Sequence, residues 1–144
     1  MEYLLSNRPL LIAIGAWVAV QFLKVIVNLA VDRKLDLGIL LSSGGMPSSH
    51  AAIVISLAVS VGKSVGVASP IFAVAAIVAC IVMYDAAGVR RAVGIQAGIL
   101  NRIIEEYFVE HNFSEKRLRE LIGHTPSQVF AGAALGFAIG WVWG

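Results

Sequence analysis

The 144 residues are 58% hydrophobic and only 14% charged, and a mean hydropathy of +0.84 is more than a water-soluble domain of this size can cover with polar surface. A formal net charge of +2, without basic runs interleaved with aromatics, argues against a nucleic-acid partner. The single Cys80 rules out a disulfide or cysteine-ligated metal framework within one chain. The expectation is an all-α integral membrane protein, a helical bundle of about four transmembrane helices forming one domain over residues 1–144 in the lipid bilayer.

In chain order, Met1 to Pro9 lacks a basic leader region, and the apolar run that follows is too long for a signal-peptide core, so it is expected to stay as a membrane helix. From Pro9 to Val31 the only polar residues are Gln21, Lys24 and Asn28, which fall on one side of a helix and give it a face meant for protein or water. Asp32 to Ser43 reads as a short polar connection carrying Arg33, Lys34 and Asp36. It leads into Gly44-Gly45-Met46-Pro47-Ser48-Ser49-His50. A second apolar helix follows from His50 to Val67, and a turn at Gly66 to Pro70 separates it from a third, Ile71 to about Ala87, whose alanines allow close backbone approach.

The third helix ends polar at Tyr84-Asp85, before Gly88-Val89-Arg90-Arg91. Between Ala92 and His111, Ile95, Ile99, Ile103 and Tyr107 recur every four positions, with Arg102, Glu105, Glu106 and Glu110 on the other side. That pattern predicts an amphipathic helix in the interface or capping the bundle. With a short helix from Ser114 to Ile122 it makes a helical hairpin before the last apolar run, Pro126 to Trp143. Gly132, Gly136 and Gly140 form a ladder that reads as helix packing, within the chain or in a homo-oligomer.

Four crossings put the 32–49 loop and the 88–125 region on one membrane face, with Arg33, Lys34, Arg90, Arg91, Arg102, Lys116, Arg117 and Arg119, against Arg8 and Lys63 on the other. The positive-inside tendency makes the first face cytoplasmic. His50 and His124 both reach it.

The Gly44–His50 stretch has the grammar of an anion site. Pro suits a first helical turn, Ser is a preferred cap, and unpaired N–H groups at a helix start attract phosphate. Gly123-His124-Thr125-Pro126-Ser127-Gln128 places a second Gly and His at a helix mouth. Hydrolysis of a phosphate monoester needs its charge neutralised, a nucleophile in line, and an acid for the departing oxygen. Arg90 and Arg91 offer bidentate contacts, Lys24 a point charge, and the amides from Gly45 through Ser48 to Ser49 a cradle. A helix N-terminus disfavours imidazolium and a bound phosphate reverses that bias for the nearer ring, so one His suits nucleophile or base and the other acid; the residues alone leave the assignment open.

Pro47-Ser48-Ser49-His50 resembles the P-S-G-H motif of the type-2 phosphatidic acid phosphatase superfamily, to which the vanadium haloperoxidases also belong. The run from His124 to Gly136 is similar to its third motif, a His followed four positions later by Asp and then by a small-residue helix. Together with Y-D-A-A-G-V-R-R, the blocks look like the divergent branch of small bacterial and plastid membrane proteins. The resemblance implies cofactor-free and metal-independent hydrolysis of a membrane lipid phosphate: phosphatidate, phosphatidylglycerol phosphate or a polyprenyl phosphate. It also implies a phosphohistidine at His124, with His50 protonating the leaving group. Lys24 and Arg33 would stand for the first motif's cations, and Arg90 or Arg91 for the third motif's arginine.

The chain departs from the pattern in four places. Lys24 and Arg33 are nine apart rather than seven, and no Pro follows Arg33. Ser49 replaces Gly, and Leu118 stands where an arginine precedes the nucleophile. Gln128 replaces the orienting Asp; it can accept from the imidazole but cannot stabilise imidazolium by charge, which leaves Asp85 as a substitute carboxylate.

Each feature also has a plainer employment. Thr125 to Gln128 fits a capping box, Lys24 can snorkel to the interface, and Asp85 with Glu105 and Glu106 offers an alternative divalent site. The rival functions are a non-catalytic module binding anionic headgroups and a small anion transporter.

Overall fold

The computed structural model describes residues 5–33, 37–41, 45–108 and 124–144, with the side chains at 31, 32, 37, 41, 90, 91 and 105–108 outside that description. The first helix, α1 (Arg8–Asp32), starts where the Asn7 side chain accepts from the Leu10 amide and stops at Arg33, whose φ of 54° leaves the helical region. After a 3-10 turn at Leu37–Leu41 come α2 (Ser49–Val65), α3 (Pro70–Ala87), α4 (Val89–Phe108) and α5 (Pro126–Trp143). Serine or threonine opens each apolar helix after α1. Ser48, Ser69 and Thr125 cap α2, α3 and α5, with Pro in the first turn of α3 and α5.

The chain is an all-α membrane bundle. Arg8–Ala30 and Pro70–Ile104 are long and apolar enough to cross a bilayer, and Ser49–Val65 is a shorter apolar helix. Apolar side chains such as Phe22, Ile26, Ile71, Val74, Ile77 and Ile81 point outward, as lipid contact requires.

The central seam is α2 against α5, and it is built from absent side chains. A Cβ on Gly132 would strike the backbone of Ser48, one on Gly136 that of Ala52, and one on Gly140 would lie 2.8 Å from the Ser56 carbonyl oxygen. Both series advance by four in the same direction, so the helices run parallel and in register at van der Waals contact. The ladder expected from sequence is therefore used inside the chain.

At one end of the bundle the Arg8 guanidinium donates to the Trp143 carbonyl at 3.4 Å, and the Lys63 ammonium donates to the Trp141 carbonyl while lying 5.5 Å from that indole's centre. Both cations meet the electronegative C-terminus of α5. The start of α1 and the ends of α2 and α5 therefore share a level. Because α1 has 25 residues against 17 and 18 for α2 and α5, it overshoots their N-termini by about two turns, ~12 Å. Both histidine mouths are sunk below the end of α1.

Three expectations need correction. The 32–43 connection is not simply polar: Leu37–Leu41 is an apolar 3-10 turn folded back on α1, where Gln21 Nε2 donates to the Leu40 carbonyl at 2.6 Å. The covered face of α4 is the small one, Ala97 and Asn101, while Ile95, Ile99 and Ile103 are exposed, so the isoleucine stripe does not cap the bundle. Only Gly88 separates α4 from α3. Pro47 precedes the Ser48 cap rather than sitting in the first turn of α2. The second hairpin helix, Ser114 to Ile122, lies outside the described residues.

Candidate active site

The parallel register of α2 and α5 brings their mouths together, and with them the two imidazoles. His50 is in the first turn of α2, and His124 precedes the Thr125 cap of α5. Their ring centres are 5.9 Å apart with planes at 60°. The two rings thus meet edge to face, with one imidazole contributed by each helix mouth.

Three backbone and side-chain contacts fix the pair. The Ser48 amide donates to the Gln128 carbonyl at 3.0 Å, tying one mouth to the other. The His124 amide donates to the Ala86 carbonyl at 3.1 Å, which brings the end of α3, and Asp85 beside it, to the same level. Ser48 is fully buried and its hydroxyl accepts from the Ala51 amide. Its amide is thus committed to α5, so Ser48 joins the two helices rather than contributing that N–H to an anion cradle.

Gln128 favours one tautomer of His124. Its Oε1 accepts from the Thr125 amide at 3.0 Å, completing a capping box, so the oxygen and not the amide nitrogen faces this side. The same oxygen stands 3.4 Å from His124 Nδ1. An amide oxygen only accepts, so a hydrogen bond here is donated by Nδ1, which in the neutral ring leaves the lone pair on Nε2. The cap and the imidazole contact, alternatives in the sequence, are one arrangement.

Lys24 is 1% exposed, and its ammonium donates to the Ser49 hydroxyl at 3.2 Å. It does not snorkel to the surface. Gly45, at φ +86°, lies over the lysine stem, where a Cβ would be 3.9 Å from Lys24 Cδ; that left-handed conformation favours glycine. The serine that replaces glycine in the motif is therefore in contact with the buried cation. An ammonium at this depth is expensive to bury, which makes Lys24 a candidate functional residue.

The remaining candidates are placed less closely. Arg33 is exposed at the end of α1, nine residues beyond Lys24. Arg90 and Arg91 are in the first turn of α4, four and five residues after Ala86, with side chains outside the described set. The side chains of Glu105 and Glu106 are outside it as well, and among the described residues no three His, Cys, Asp or Glu gather into a metal site.

Residues 5–139 match the family described as the Divergent PAP2 family. The chain belongs to that family. Among its relatives is the "Uncharacterized membrane protein YuiD" of Bacillus subtilis (strain 168), 41% identical over 147 residues that cover 94% of this chain and 93% of the relative. No solved structure matches. In this Divergent PAP2 protein, two positioning contacts escaped the sequence reading, the Ala86 and Leu40 carbonyls, because a backbone acceptor leaves no mark in residue identity. Gln21 carried a partial signal, as a polar residue on the face of α1 that also bears Lys24.

Proposed function

We propose that this protein is a membrane phosphohydrolase that removes phosphate from a lipid phosphate monoester through a phosphohistidine, without a metal. The observation that carries this reading is the facing of His50 and His124 at 5.9 Å across two helix mouths, with the Lys24 cation held at Ser49 beside them. His124 Nε2 attacks phosphorus; the ester P–O bond breaks, and the departing alkoxide takes a proton from the His50 imidazolium. His50, now neutral, takes a proton from the water that attacks the phosphohistidine, releasing inorganic phosphate and restoring both rings. Lys24, with Arg90 or Arg91 from the start of α4, neutralises the equatorial oxygens. Phosphatidate, phosphatidylglycerol phosphate and polyprenyl phosphate are the substrates of matching chemistry, met at the cytoplasmic face of a bacterial membrane.

Phosphate release from these three lipids by the purified protein tests the reading. Release that persists in chelator supports it; no release from any of them, with headgroup binding retained, would replace it with the anionic-lipid module.

Two substitutions sharpen the roles. Lys24→Met removes the cation but keeps the volume of its stem, so kcat/KM should fall about 100-fold while the melting temperature holds or rises, since burying an apolar stem costs less than burying a charge. A melting temperature that falls with activity would make Lys24 a structural residue. Gln128→Asp restores a charge behind the His124 ring at the electropositive start of α5, and kcat should rise about tenfold or more. Unchanged kcat would mean that Gln128 only caps the helix.

A further inference from the structure

Two apolar cavities lie along the seam between α1 and α5. A cavity of about 300 Å³ is lined by Leu23 and Val27 of α1, Ala131 and Leu135 of α5, and Met46 and Pro47 of the connecting turn. Leu23 and Val27 bracket Lys24 in sequence, and Pro47 adjoins the Ser48-Ser49 mouth. One turn further from the site, a second cavity of about 420 Å³ is lined by Gly15 and Ala19 of α1 with Ile139 and Trp143 of α5.

We propose that this α1–α5 seam holds one hydrocarbon chain of the substrate and measures its length, a claim that rests on the phosphohydrolase reading above. Four features favour that occupant. The upper cavity begins at the turn and the helix segment that carry the cation and the helix mouth, so a chain entering it leaves its phosphate beside Lys24. The lining is apolar throughout, which suits hydrocarbon and not a hydrated ligand. Apart from Ile12, the lining positions on both helices advance by four, 11-15-19-23-27 against 131-135-139-143, which puts both cavities on one seam. The seam spans about 18 Å from Ala131 to Trp143, and Trp143 is the last lining position of α5 before the far end of the bundle.

The ruler is set by small residues. A Cβ added at Gly15 meets nothing within 4 Å, so a larger side chain there starts into the open space of the lower cavity, and it also favours the helix. Gly15 takes no part in the chemistry. Gly15→Leu should therefore shorten the usable seam while leaving the site alone.

The test compares hexyl phosphate with hexadecyl phosphate, single-chain monoesters of different length, on wild type, Gly15→Ala and Gly15→Leu. Gly15→Leu should lower kcat/KM for hexadecyl phosphate about tenfold and leave hexyl phosphate unchanged, with Gly15→Ala like wild type on both. Equal effects of Gly15→Leu on the two substrates, or none on either, would overturn the channel while leaving the hydrolase standing, and would assign the seam to bulk lipid. If wild type releases phosphate from neither, the hydrolase reading fails, and native mass spectrometry decides the channel separately: retention of hexadecyl phosphate by wild type but not by Gly15→Leu supports it, and equal retention overturns it.

Discussion

Replacing His124 by Ala should lower phosphate release by about a thousandfold or more, because the loss of a covalent nucleophile is not made good by the groups that remain. His124 is 2% exposed, held by a backbone contact to Ala86 and with its ring beside Gln128, so the nitrogen that attacks in the proposed mechanism is held in place. The main-chain contact does not depend on the imidazole, and the variant should insert and fold. The check is twofold. Turnover is followed by phosphate release, and protein quenched during turnover is examined for phosphate bound to histidine, present in wild type and absent in His124→Ala. Turnover within tenfold of wild type would remove His124 as the nucleophile.

A comparably large loss should follow a change that touches neither histidine. Gly136→Val inserts a branched side chain where the backbone of Ala52 already sits. A backbone neighbour cannot rotate aside, so α2 and α5 must separate, at a cost of about 3 kcal/mol or more. Separation pulls the Ser48 amide from the Gln128 carbonyl and opens the imidazole pair, and activity should fall at least about a hundredfold. Gly15→Val, which adds the same atoms where there is open space, is the control and should leave the melting temperature near wild type. Equal melting temperatures for the two variants would show that the ladder does not set the helix distance.

The two predictions rest on parts of the molecule that were legible to different degrees. The histidine mouths, the capping residues and the glycine ladder were readable because each depends on residue type at fixed spacing: Ser48 and Thr125 cap, Gly132, Gly136 and Gly140 recur by four. That the ladder served this chain's own α2 rather than another copy was not readable, since the partner stripe of Ser48, Ala52 and Ser56 is ordinary composition. The apolar turn at Leu37–Leu41 was missed because charged neighbours at Arg33, Lys34 and Asp36 dominate the local average, while the group that holds it, Gln21, is far away in sequence. For α4 the repeat left two placements open, in the interface or over the bundle, for a related reason. An isoleucine stripe predicts burial in water, but in a membrane protein the larger apolar side chains face outward, and small residues such as Ala97 mark the packed face.

The parallel pairing of the second and fifth helices also governs when the molecule becomes competent. His50 leaves the ribosome well before His124, and everything between them must be threaded and turned before the last helix can slide into the slot its glycines fit. Such a distant closure is slow compared with local helix formation. Under the proposed mechanism, a chain that lacks the C-terminal helix holds one imidazole of the pair and should release no phosphate.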